Sequence, residues 1–198
     1  MDGSELNLHI GTKMAAIDSN EWDAIAGRQN PFISHAFLAA LEAGGAVGGD
    51  SGWTPMHILL RNGDGILIGA MPHYLKHHSY GEYIFDHGWA NAFERAGGSY
   101  YPKFLGAIPF TPATGPRMLV RDERRDLKLA LAKGVVNLLD KYRLSSAHIN
   151  FLPKHDAKLL KSGGWLHRTG IQFHWHNQGF ANFDAFLRSL SSRKRKNI

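Results

Sequence analysis

Hydrophobic positions along the chain switch between two periods, and each switch marks an element. Leu6, Leu8 and Ile10 alternate with Asn7 and His9, which predicts a short opening strand. A helix from Glu21 follows, with Ser19 or Asn20 placed to accept from its free first-turn amides, and a second helix over residues 34–42 stops at Gly44-Gly45. Residues 57–60, the turn Asn62-Gly63-Asp64-Gly65 and residues 66–75 read as a β-hairpin, because asparagine and glycine accept the positive φ of a tight turn. Residues 80–85 read as a further strand, and residues 89–97 lean to helix.

Pro102, Pro109, Pro112 and Pro116 divide residues 101–117 into a strand and a long ordered loop, with another strand at residues 118–120. Leu127, Leu131, Val135 and Leu138 fall at helical spacing and predict a helix over residues 124–142 with one buried face. Ala147, Ile149 and Phe151 alternate as a strand, a short helix over residues 156–161 ends at Gly163-Gly164, and Ile171, Phe173 and Trp175 alternate with Gln172, His174 and His176 as a last strand. A helix over residues 183–190 and the opening of another at Ser191 or Ser192 complete the chain. This order predicts an α/β sandwich with a mixed sheet flanked by helices, and it resembles the order of a GNAT acyltransferase domain.

Composition narrows the picture. A chain of 198 residues with 43% hydrophobic content is globular, and the absence of cysteine removes disulfides, thiolate metal sites and a cysteine nucleophile. The acidic N-terminus lacks the features of a secretory signal, and no stretch approaches the roughly 20 apolar residues of a membrane span, so a cytoplasmic location is expected. The net charge of +6 sits mostly in Arg188, Arg193, Lys194, Arg195 and Lys196, which marks the tail as a solvated basic helix or as a contact for RNA phosphates.

Several groups are candidates for chemistry. His174 and His176 share one face of a predicted strand, with His148 a possible neighbour, yet no acidic ligand stands at a diagnostic spacing, so no metal site is expected. Residues 109–117 carry three prolines, Thr111, Thr114, Gly115 and Arg117, which fits either a preorganised clamp for a carboxylate or phosphate, or a rigid loop whose arginine pairs with a local acid. Tyr80, Tyr83, Phe85, Trp89, Phe93, Tyr100 and Tyr101 lie among Glu82, Asp86, His87 and Glu94, as an aromatic-walled cleft with proton-accepting carboxylates or as plain core. Arg95-Ala96-Gly97-Gly98-Ser99-Tyr100 only approximates a pyrophosphate-binding loop.

Taken in order, Asn30-Pro31-Phe32-Ile33-Ser34-His35-Ala36-Phe37-Leu38, Gly52-Trp53-Thr54-Pro55, Tyr74-Leu75-Lys76, His78-Ser79-Tyr80-Gly81-Glu82-Tyr83, residues 109–117, Gln172-Phe173-His174-Trp175-His176-Asn177 and residues 190–197 resemble the FemAB-like predicted N-acyltransferases, a GNAT-superfamily branch of peptidoglycan biosynthesis or recognition. The resemblance implies a GNAT-like domain over residues 1–187, with residues 188–198 opening a second such domain of a longer protein. It implies transfer of an acyl or aminoacyl group to a small-molecule or peptide amine, with acyl-CoA or aminoacyl-tRNA as donor, tRNA meeting the basic tail, and no cofactor held by these residues. Glu82, Asp86 or His174 are then the expected proton acceptors, and Tyr83, Thr111, Thr114, Gly115, Arg117 and His176 the expected substrate contacts. All of this requires the sheet to part into a polar slot that receives both the proline-rich segment and the histidine-bearing strand. The alternative is a non-catalytic module that uses the same cleft to recognise a cell-wall peptide, glycan or protein.

Overall fold

The computed structural model describes residues 5–198, which divide into two compact units, one reaching to His167 and the other Arg168–Ile198. The larger unit is a mixed α/β structure built on one long, bent hairpin. Its strands β2 (Trp53–Pro55) and β3 (His57–Arg61) run on from one another, as do β4 (Leu67–Met71) and β5 (His73–Lys76) on the return. β2 pairs with β5 and β3 with β4 in one antiparallel register that shifts only at Leu60/Arg61. The turn is closed by Asn62, whose Oδ1 accepts from the Ile66 amide at 2.9 Å.

Pro72 cannot donate a ladder hydrogen bond, and the hairpin bends there. Across the bend the Met56 amide donates to the His73 carbonyl at 2.9 Å, and the His73 amide donates to Nδ1 of His57 at 3.4 Å. The two halves of the hairpin therefore belong to different sheets. β1 (Asn7–Gly11), β3, β4 and β7 (Leu119–Val120) form an antiparallel sheet in that order, and β2, β5, β6 (Lys103–Gly106) and β8 (Ala147–Ile149) form a mixed one in which only β6 and β8 are parallel. β6 and β7 pair with consecutive stretches of the same bent strand, so they are one strand interrupted by the proline-rich loop.

Period-two alternation sends neighbouring residues into different cores. Ile58 and Leu60 of β3, with Met71, Phe104 and Val120, meet α4 (Arg125–Tyr142) and α5 (Lys154–Ser162), while Leu59, Ala70 and Leu119 meet α1 (Ser19–Ala26) and α2 (His35–Ala43) on the other side. Leu127, Leu131, Val135 and Leu138 of α4 are buried as their spacing predicts. The caps follow side-chain chemistry: Asp18 Oδ1, in place of the expected Ser19 or Asn20, accepts from the Glu21 amide at 2.9 Å, and Ser34 Oγ accepts from the Phe37 amide at 3.3 Å.

Two expected strands do not form. Residues 80–85 are irregular, leading into α3 (His87–Arg95), and residues 171–176 pair into no sheet and are exposed. The smaller unit carries α6 (Phe183–Ser189) and the one-turn α7 (Ser192–Arg195). Among the described residues, no helix is long and apolar enough to cross a membrane.

Candidate functional site

Register alone sets the site's floor. Trp53 lies opposite Lys76, and Lys76 opposite Lys103, so β2, β5 and β6 present a tryptophan and two lysines in one row on one face of the mixed sheet. Further along that face Tyr74 and Leu105 join Val47, Trp53 and Ala107 in a small apolar core. Both lysines are fully buried, and they need counter-charge from whatever covers them.

That charge comes from the segment between β5 and β6. The Lys103 ammonium donates to Ser79 Oγ at 2.8 Å, to Glu82 Oε2 at 3.0 Å and to Asp86 Oδ2. Asp86 Oδ2 also accepts from the Tyr100 hydroxyl at 2.9 Å, and Ser79 Oγ lies 2.8 Å from the Tyr101 hydroxyl. Lys76 Nζ sits 3.8 Å from the Trp53 ring centroid and donates to the Tyr80 carbonyl at 3.3 Å. Glu82 Oε1 and Asp86 Oδ1 are buried without a hydrogen-bond partner.

These surroundings pull the two carboxyls apart. Burial, only partly offset by Lys103, raises Glu82 above the usual carboxylate range. Burial also acts to raise Asp86, but hydrogen bonds from Lys103, Ser79 and Tyr100 outweigh it and hold that group below the usual range. Burial brings Lys76 down to about 8 against the attraction of Glu82. Two neighbouring carboxyls with divergent proton affinities are the pattern of an acid–base pair.

The proline-rich loop reaches the same place by a different side chain from those expected. Phe110 packs on Trp53, with centroids 5.6 Å apart, and its amide donates to the Gly81 carbonyl at 3.1 Å. Gly81 has φ of 79°, and a Cβ there would lie 2.5 Å from the Phe110 ring. Gly81→Ala is therefore expected to cost about 2 kcal/mol from backbone strain and displaced packing, read as a lower denaturant midpoint; an unchanged midpoint would show that loop and segment move independently.

The other expected contacts have settings of their own. Arg117 is fully buried and donates to the carbonyls of Ala113 (2.7 Å), Gly115 (3.0 Å) and Pro116 (3.1 Å), so its guanidinium braces its own loop and forms neither an open anion clamp nor an acid pair. Burial lowers it to about 10. Thr111 turns its hydroxyl onto the Pro109 carbonyl at 3.0 Å, Thr114 is exposed, and Gly115 is buried against Asn30. Where the sheet parts, Ala107 and Ile108 are packed into the flanking cores, which fills the expected slot with the loop's own side chains. Tyr83 is exposed with φ of 55°. His174 and His176 belong to the smaller unit, exposed and stacked with ring centroids 6.3 Å apart.

Tyr100 stands among the aromatics expected around Glu82 and Asp86, whereas Lys76, Lys103 and Ser79 are members of the cluster that sequence reasoning missed. Lys103 is in phase with Leu105, and Lys76 with Tyr74; a lysine on the apolar phase of a strand signals a buried charge with a partner to be found. A second trio, Glu123, His155 and Asp156, has ligand atoms within 4.8 Å of one another. The Lys128 ammonium already sits between two of them, on Asp156 Oδ1 at 2.7 Å and on Glu123 Oε2, and occupies the position of a cation.

The FemAB-like family model, described as peptidoglycan biosynthesis/recognition, matches residues 13–198. No curated protein matches the chain.

Proposed function

Because the chain belongs to the FemAB-like family of peptidoglycan biosynthesis/recognition, we propose that it serves to transfer an acyl or aminoacyl group to an amine of a peptidoglycan-related acceptor. In such a reaction the amine nitrogen attacks the donor carbonyl and a new N–C bond forms. The bond to the donor's leaving group, a coenzyme A thiolate or a tRNA ribose oxygen, breaks, and the nitrogen gives up a proton. The observation that carries this reading is the Glu82/Asp86 pair. Glu82, whose proton affinity burial raises, is suited to take that proton, while Asp86, held ionised by Lys103 and Tyr100, fixes the pair's charge.

A second reading, recognition without transfer, draws on the exposed aromatic rings of Tyr80, Tyr83, Trp89 and Phe93 around the same cluster, which suit stacking against a glycan or peptide. Transfer of label from acetyl-CoA or aminoacyl-tRNA to a panel of peptidoglycan-derived amines separates the two. Turnover that falls about 100-fold in kcat in Glu82→Gln is the expected outcome. Saturable binding of peptidoglycan fragments with no turnover from any donor would defeat transfer and leave recognition.

A further inference from the structure

The segment joining β5 to β6 is attached to the sheet in an unusual way. Between Ser79 and Arg95 the buried residues are Ser79, Glu82, Asp86 and Ala90, three polar groups and one methyl, whereas Tyr80, Tyr83, Phe85 and Trp89 are between 54% and 80% exposed. Apolar burial, the usual source of adhesion, is almost missing on its inner side. Besides the Phe110 amide's bond to the Gly81 carbonyl, what holds it is the contact of Ser79, Glu82 and Asp86 with Lys103, with a hydroxyl bond at each of Tyr100 and Tyr101 and the bond from Lys76 to the Tyr80 carbonyl.

The lysines belong to the sheet and the carboxylates to the cover. Lys76 and Lys103 are fixed by strand pairing, and cross-strand partners hold their Cβ atoms about 5 Å apart. Glu82 and Asp86 lie beyond Gly81, whose φ is 79°, and around Tyr83, whose φ is 55°. Each carboxylate uses one oxygen and leaves the other buried without a partner. Two buried carboxylate oxygens with no donor are a cost of the closed arrangement that an anion able to use both lysines would not carry.

We infer that Lys76 and Lys103 form a binding site for a dianionic phosphate group, and that residues 77–95 are a cover which closes it by placing Glu82 and Asp86 where the anion would sit. A phosphate monoester carries close to the same two negative charges, has the oxygens to take both ammonium groups, and leaves the hydroxyls of Tyr100 and Tyr101 free to donate. The inference does not depend on the transfer reading: an empty anion site would leave turnover untouched, and absent turnover would leave anion binding untouched.

The test uses the full chain at constant ionic strength, with inorganic phosphate and malonate as probes. In Glu82→Gln/Asp86→Asn the internal anions are gone, and phosphate is expected to raise Tm saturably by several degrees, with wild type responding less at the same concentration. Adding Lys103→Met to that variant is expected to abolish the rise. Equal shifts in all three proteins, or none in the double variant, would overturn the site, and a shift with malonate alone would overturn its assignment to phosphate. Should the double variant fail to fold, hydrogen exchange on wild type decides: saturating phosphate is expected to speed exchange at residues 77–95, and unchanged exchange there overturns the cover.

Discussion

Replacing Lys103 with methionine is expected to destabilise the protein by about 3–5 kcal/mol, because it leaves Glu82 and Asp86 buried with their shared cation removed. Methionine matches the volume of the lysine stem, so little of the loss comes from packing. The charge account has its own control. Glu82→Gln and Asp86→Asn introduced together with Lys103→Met remove the repulsion and the ionic desolvation at once, and that triple variant is expected to recover more than half of the loss. Urea unfolding of the three proteins reads both effects; a loss under about 1 kcal/mol in the single variant would mean that opening of residues 77–95 gives the carboxylates water at little cost.

The second large effect is on pH. His73 is fully buried at the bend of the hairpin, its ring centroid 4.8 Å from that of Phe104. Its Nδ1 donates to the Met56 carbonyl at 3.2 Å, which leaves Nε2 as a buried acceptor with no partner. Burial brings this imidazole down to about 3, with the neighbouring His57 adding to the fall and the Met56 bond opposing it. The folded protein thus holds the ring neutral at pH values where the unfolded chain takes up a proton. Stability from this group is full above about pH 6.5 and falls as pH drops towards about 3, by up to about 1.4 kcal/mol per pH unit. Unfolding free energy measured across that range should lose much of its slope in His73→Phe, which keeps the contact with Phe104. An identical slope in the variant would place the acid sensitivity elsewhere.

How far the structure was legible follows from what each pattern encodes. Repeating apolar spacing over many residues specifies an element almost by itself, and the helix expected over residues 124–142 is Arg125–Tyr142 in the structure. The hairpin turn was equally plain, since Asn62 and Gly65 leave few other backbone paths. Alternation over a short stretch specifies only an extended backbone, because a strand also needs a ladder partner, and neither residues 80–85 nor 171–176 has one. At the site, Glu82 and Asp86 could be picked out as carboxylates among aromatics. Their meeting with Lys103 could not, because it depends on the register of β5 against β6 across a long irregular connection. Arg117 misled for a related reason. Its type and its proline-rich setting suit an anion clamp, but three backbone carbonyls of its own loop reach the guanidinium first.

The strand that leaves the bent hairpin after Gly106 and rejoins it at Leu119 has a bearing on how this fold tolerates change. Both ends of the excursion are pinned to one continuous template, so lengthening or replacing the intervening loop adds only a slowly growing closure entropy and shifts no pairing. A port of this kind lets new side chains be delivered to the seam between two sheets while the scaffold around them stays put.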